Sequence, residues 1–298
     1  MKHISIVLLT VILVSGCTST VAIGTAYNSA ARNVTKQLAG YAEFNAAQRR
    51  EIKRRVSAFH KWHRQQHLPE YHRLLSDIAT GADDPDNLSK QHIDRWVTTF
   101  RSLLLQTGQC NPLNNSSHFL STLSDRQVQQ VAISIRDKQI LRVRQYQSET
   151  KVQRLKRRQA ALTKWAARAG MSFTDEQSQL LENTLSQQIS LTPQRHQLWQ
   201  NWSDQFIRML QQRSQPQFSS EVQSHIASLW NLTEKTYPVH WGHNIDLWSD
   251  FLYRFLKSQT PEQSRQLKNR LSSVAESLAK LSTKKTTHEA HCFATTEQ

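Results

Sequence analysis

Three imidazoles, those of His60, His63 and His67, recur at intervals that bring side chains together on a helix. At about 100° per residue they fall within one arc of roughly 60° that also holds Val56, so they line one edge of an apolar stripe. Imidazoles a turn apart can ligate Zn2+ or Cu2+, which makes a metal-binding protein the alternative functional reading. The competing arrangement is a partly buried His63 hydrogen-bonded in the core, with His60 and His67 as its polar margin. His240 with His243, and the run His288-Glu289-Ala290-His291-Cys292, are further spacings of metal-ligand type. The chain has no nucleophile elbow, no glycine-rich phosphate loop, no HExxH and no CxxC pair, so no catalytic residue is assigned and no cofactor is expected.

The cysteines carry a different chemistry. Met1-Lys2-His3 is a short basic start, and Ile4 to Val14 is an apolar run broken only by Ser5 and Thr10. Val14-Ser15-Gly16-Cys17 follows. The run is too short to span a membrane and reads as a signal peptide over residues 1–16. Its end resembles a lipobox, in which small residues precede a cysteine whose thiol takes a diacylglycerol. Cys17 is then the lipidated first residue of the mature chain, and residues 17–26 form its tether. Each buried methylene of an acyl chain contributes about 0.8 kcal/mol, so two or three chains hold a protein on a bilayer almost permanently. Thr18 stands where an aspartate would favour the inner membrane, so the expected address is the outer membrane with the body facing the periplasm. In that oxidising compartment Cys110 and Cys292 can form a disulfide, remain two thiols or pair with another protein; their spacing decides none of these.

The elements that position these groups read as helices. Seven Gly and seven Pro in 298 residues leave little turn chemistry for a β fold. Helix starts recur as Ser, Thr or Asn with Gln three residues on: Asn45–Gln48, Ser124–Gln127, Thr174–Gln177 and Thr260–Gln263, with Thr192-Pro193 a looser case. These starts are also similar to the L-T-x-x-Q motif of small periplasmic helical chaperones. Apolar stripes of helical period run through Ile93–Leu104, Leu198–Leu210, Trp248–Leu256 and Leu267–Leu281. The expected fold is all-α, a multi-helix bundle or array of about nine to ten helices, with an N-terminal region over 27–122, a C-terminal region over 123–282 and a disordered tail over 283–298. One extended or kinked helix is expected from Ser124 to about Arg168. Breaks are expected at Gly81–Leu88, Gly108–Ser117, Ala169–Phe173, Ser214–Phe218 and Tyr237–Gly242.

The densest run of aromatic, histidine and proline residues is Phe59 to His72, a basic amphipathic helix interrupted by Pro69. Pro69 lacks a backbone donor and disfavours helix at Leu68, so a kink or stop is expected there. Trp62 and Tyr71 are then expected to pack at the bend against a short first helix over about Tyr27–Tyr41. Trp62-His63-Arg64, then Leu68-Pro69 and Tyr71, preceded by Tyr27-Asn28, Tyr41 and Gln48, resembles an uncharacterised family of Gram-negative envelope lipoproteins with a WHR-x3-LP-x-Y signature. The resemblance covers roughly residues 13–75, and His67 replaces the acidic residue usual in the family before Leu-Pro. It implies a helical envelope lipoprotein and no known activity. The composition has 38 Lys+Arg against 23 Asp+Glu, a net charge of +15. In the expected compartment such a surface meets anionic lipid and acidic proteins, and nucleic acid is not an expected partner. The functional expectation is a non-enzymatic adaptor or chaperone-like protein, anchored to the membrane by lipid and binding an envelope protein or the anionic envelope surface.

Overall fold

The computed structural model describes residues 20–168, 171–283 and 292; Cys17, the leader and the tail beyond Thr283 other than Cys292 lie outside the described residues. Among the described residues every regular element is helical. The α segments are α1 (Thr20–Ala39), α2 (Ala46–Trp62), α3 (Leu68–Asp83), α4 (Lys90–Gln109), α5 (Ser117–Ser121), α6 (Asp125–Gln147), α7 (Lys151–Arg168), α8 (Asp175–Gln187), α9 (Thr192–Gln211), α10 (Phe218–Ser228), α11 (Leu232–Thr236), α12 (Pro238–Lys257) and α13 (Pro261–Ser282). α5 and α11 are five-residue turns, which leaves eleven longer helices. The first helix starts at Thr20, so the stretch expected as tether is helical from that residue.

Four helix starts combine a side-chain cap with a buried glutamine, and these four meet in pairs. At each, the N-cap side chain accepts the backbone N–H of the glutamine three residues on, whose carbonyl oxygen accepts the N-cap N–H. The glutamine amides then bond across to another helix start. Gln48 Nε2 donates to Gln127 Oε1 at 3.1 Å and Gln127 Nε2 to Gln48 Oε1 at 2.7 Å. Gln177 and Gln263 make the same exchange at 3.0 and 2.9 Å. All four side chains are buried. A capping residue thereby joins elements far apart in sequence, α2 to α6 and α8 to α13.

Packing closes the chain on itself. α13 lies along α3 in the most extensive helix–helix contact and also against α1, while α12 packs on α4 and α8, and α9 on α6 and α10. His72 Nδ1 lies 3.0 Å from the carbonyl of Ala275. One apolar cluster runs from Ile23 and Tyr27 to Leu278 and Leu281, so the regions before and after residue 122 share a core. The four apolar stripes supply much of it, with Ile93, Trp96, Trp202, Leu210, Phe255, Val274 and Leu278 buried.

Four expected boundaries move. The helix expected over 124–168 is two helices, α6 and α7, parted at Ser148–Thr150, where Thr150 and Gln153 form another capping pair. Gly81 and Gly108 lie inside α3 and α4: a Cβ on Gly81 would stand 2.5 Å from Trp96 Cη2, and one on Gly108 2.5 Å from Trp230 Cδ2. They admit a ring against a helix backbone, and the expected breaks begin after Asp83 and Gln109. Pro238 opens α12, so Gly242 is helical and that break is confined to Tyr237.

Candidate functional site

Pro69 shapes the site by what it lacks. A proline in a helix has no N–H and its ring collides with the carbonyl four residues back. The chain answers by widening: His63–His67 form a π-turn in which the Leu68 N–H bonds to the His63 carbonyl, five residues back. α3 follows with Pro69 in its first turn. The kink or stop expected at this point is therefore a π-turn between two helices that run on, a device that recurs at functional sites.

This turn gathers the imidazoles. His63 is 2% exposed, and its Nδ1 lies 3.0 Å from the hydroxyl of Tyr27 on α1, a ring with no exposed surface. His60 Nε2 sits 3.1 Å from the Tyr27 carbonyl. A carbonyl only accepts, so His60 Nε2 carries a proton. His67 Nδ1 lies 3.2 Å from Thr107 Oγ1 on α4, whose own proton goes to the Leu103 carbonyl at 2.8 Å. His63 and His67 stack with centroids 5.5 Å apart, and the Tyr27 and His60 rings meet at a tilt of 33° with centroids 4.5 Å apart. Tyr71 closes the set at 5.8 Å from His63.

Electrostatics follow burial. Loss of solvation pushes the His60 and His67 pKa values down to about 4, and His63 further below its ordinary range, with the neighbouring imidazoles adding to the effect. The Tyr27 hydroxyl is pushed up, chiefly by burial, against the opposing charge of Arg64. At neutral pH the imidazoles are uncharged, with Tyr27 and His63 sealed from solvent and His60 half-buried at the margin.

The residues of the WHR–LPxY pattern divide around it. Arg64 bonds to Asn28 and lies over the Tyr27 ring, its Cζ 5.4 Å from the centroid. Tyr27-Asn28 and His63-Arg64 are thus the two sides of one contact between α1 and α2. Leu68 and Tyr71 are buried. Trp62 is buried as well, against the rings of Phe59 and His67. The hydrogen bonds to Tyr27 of the first helix come from His60 and His63. Gln48 is the buried cap of α2, and Tyr41 receives Lys138 Nζ over its ring at 3.3 Å.

The three histidines expected as a ligand set do not converge on one point, since the nitrogens above face three different partners. Among the described residues no group of three His, Cys, Asp or Glu is placed to hold a metal ion. His243 Nε2 faces the Gln187 carbonyl at 3.5 Å, His240 stacks edge-on with Tyr237, and His288 and His291 lie outside the described residues.

A groove of about 840 Å3 runs beside the turn, lined by Trp62, Gln66, His67, Glu70, Ser102 and Cys292 among others. At its end Cys110 is joined to Cys292 in a disulfide, with Cα atoms 4.8 Å apart. The loop after Cys110 is organised by Arg55, which sequence reasoning did not single out. Its guanidinium donates to the carbonyls of Pro112 at 3.2 Å, Asn114 at 3.1 Å and Asn115 at 2.6 Å, and Asn115 takes a φ of 53°. An arginine four residues after Glu51 on an otherwise basic helix gave no signal of that role. Thr107 was equally silent.

The fold and the site together define an all-helical protein locked internally by a neutral histidine–tyrosine cluster. The chain belongs to DUF6279, a family of unknown function whose model matches residues 40–237, about two thirds of its length. No curated protein and no solved structure matches it. The π-turn, Cys110 and the Gln48–Gln127 pair lie inside the matched region; Tyr27, Cys17 and Cys292 lie outside it.

Proposed function

We propose that this is a lipid-anchored envelope protein, held by acyl chains on Cys17 with its body in the periplasm, that works by binding a partner and not by turning over a substrate. The observation that carries the reading is the fate of the cysteines. Cys110 and Cys292 are bonded to each other, which suits an oxidising compartment, and the remaining cysteine follows Val14-Ser15-Gly16 behind an apolar leader. The histidine cluster supports a binding role over a catalytic one: Tyr27 and His63 are sealed, so no dissolved substrate reaches the proton between them. Surface for a partner is present on α6 and α7, where Ile133, Leu141 and Val152 stand 57, 65 and 60% exposed. Metabolic labelling with an alkyne fatty acid tests the anchor: the wild-type chain should carry label and sediment with membranes, and Cys17→Ser should carry none. A labelled Cys17→Ser chain overturns the reading.

A further inference from the structure

A second cavity, away from the histidine cluster, has the chemistry of an anion site. It encloses about 580 Å3 between α7, the α8–α9 loop, the start of α9 and α12. That volume falls within the range of small-molecule sites. Its lining includes five cations, Lys151, Arg154, Arg157, Arg158 and Arg195, and no acidic residue. Glu149 pairs with Arg157 at 3.0 Å. The other contacts are with neutral groups. Arg154 donates to the carbonyls of Tyr146 and Glu149, and its Cζ lies 4.2 Å from the Tyr146 ring centroid. Arg158 donates to the Gln188 side chain.

We infer that this cleft binds a phosphate-bearing amphiphile, the phosphate held by the Arg154, Arg158, Arg195 and Lys151 side chains and the apolar portion lying on Trp248, Leu155 and Ile245. Guanidinium forks match phosphate oxygens, and crowding like charges around a cavity is unfavourable unless an anion joins them. Arg158 is held below its usual pKa by burial first and by Arg157 second. Two further features point into the same space. The indole Nε1 of Trp241, which lines the cleft, is buried without an acceptor, a donor left for a ligand. Ser190, Leu191 and Thr192 bring the start of α9 to the wall, a 20-residue helix whose N-cap Leu191 offers no side-chain acceptor, so the positive end of its dipole is uncompensated. The wall is fixed in advance: Asn244 accepts the Ile189 N–H and donates to the Ile189 carbonyl, both at 2.9 Å, clamping the α8–α9 loop to α12.

The site stands independently of the anchor on Cys17, and the phosphate can arrive on a lipid or free in solution. Titration of the full-length chain with dihexanoyl phosphatidic acid, the matching phosphatidylcholine and inorganic phosphate, followed by tryptophan fluorescence and calorimetry, separates the cases. Saturable binding of phosphatidic acid, tighter than that of inorganic phosphate, supports the proposal with lipid as the source. Equal affinity for the two removes the apolar contribution and overturns the amphiphile in favour of free phosphate. Arg195→Gln, and separately Arg158→Gln, should each weaken phosphatidic acid binding about tenfold, whereas Arg126→Gln, on a surface ion pair with Glu43, should leave it unchanged. Arg195 is exposed, so its variant should fold even if the Arg158 variant does not. No saturable binding of either phosphate compound, or equal binding by all three variants, overturns the site.

Discussion

His63 shows how a ligand-like spacing becomes a structural lock. Its imidazole sits between Tyr27, Phe59, His67 and Tyr71, and its proton exchange is confined to one buried hydroxyl. The depressed values fix the pH behaviour. An unfolded histidine titrates near 6.5, and folded His60 and His67 titrate near 4. Between those limits the unfolded state binds more protons, so the contribution of these histidines is complete above pH 6.5 and is lost as pH falls from 6.5 to 4. Urea unfolding at pH 7.5 and 5 should differ by a few kcal/mol, at about 1.4 kcal/mol per tenfold in proton affinity, and Tyr27→Phe should lower stability at both. A midpoint that does not move between those two pH values refutes the neutral-cluster account. Trp62 belongs to the same scale. It is 7% exposed, and Trp62→Ala should cost about 3–5 kcal/mol in chemical denaturation. Packing of Trp62 and Tyr71, both buried, was legible in the sequence because Pro69 marks a bend beside which two large rings stand. The part of Tyr27 was not, since a tyrosine 36 residues before His63 carries no local mark of its partner.

The helix starts were the most legible elements, because a cap is a local interaction between residues three apart. That the same glutamines meet in pairs was invisible, since contacts between helix ends across 79 and 86 residues leave no trace in the cap pattern. The pairing makes a distinct forecast. Gln177→Ala removes a cap and also strips the buried Gln263 amide of a partner; it should cost about 1–3 kcal/mol, more than an exposed cap. Gln177→Ala with Gln263→Ala should cost less than the sum of the single variants, because neither amide is left half-satisfied. Strict additivity in the double-mutant cycle would show that the caps act separately. The division of α6 from α7 was signalled by Thr150 and Gln153, the same pattern as the other starts, masked by continuous polar helix formers around it. Pro69 was legible in part. Its missing donor was evident, but whether a helix stops, bends or widens there depends on tertiary packing, in which Leu68 and Tyr71 are buried just after the turn.

At the scale of the molecule, the C-terminal helix is held against the N-terminal third in two ways. α13 lies along α3 and α1 through buried Val274, Leu278 and Leu281, a contact that periodicity announced as a stripe without saying what it faced. The Cys110–Cys292 bond then closes a loop across a sequence separation of 182 residues. Cross-linking so long a loop removes much of the freedom of the unfolded chain, an effect of up to about 5 kcal/mol, with about 2–4 kcal/mol typical. The bond restrains chiefly the unfolded chain, while α13 is seated by its own apolar face. Cys110→Ser/Cys292→Ser should therefore fold with unchanged helix content by circular dichroism, yet unfold at a denaturant midpoint lower by about 2–4 kcal/mol of stability. Wild-type protein in reductant should match the double variant. If reduction releases α13, amide exchange in residues 261–282 will rise far above that in α9; comparable protection in both helices is the expected result. The seating of α13 by its apolar face predicts a further contrast, in which Leu278→Ala, at a side chain with no exposed surface, costs about 2–5 kcal/mol whether or not the disulfide is present.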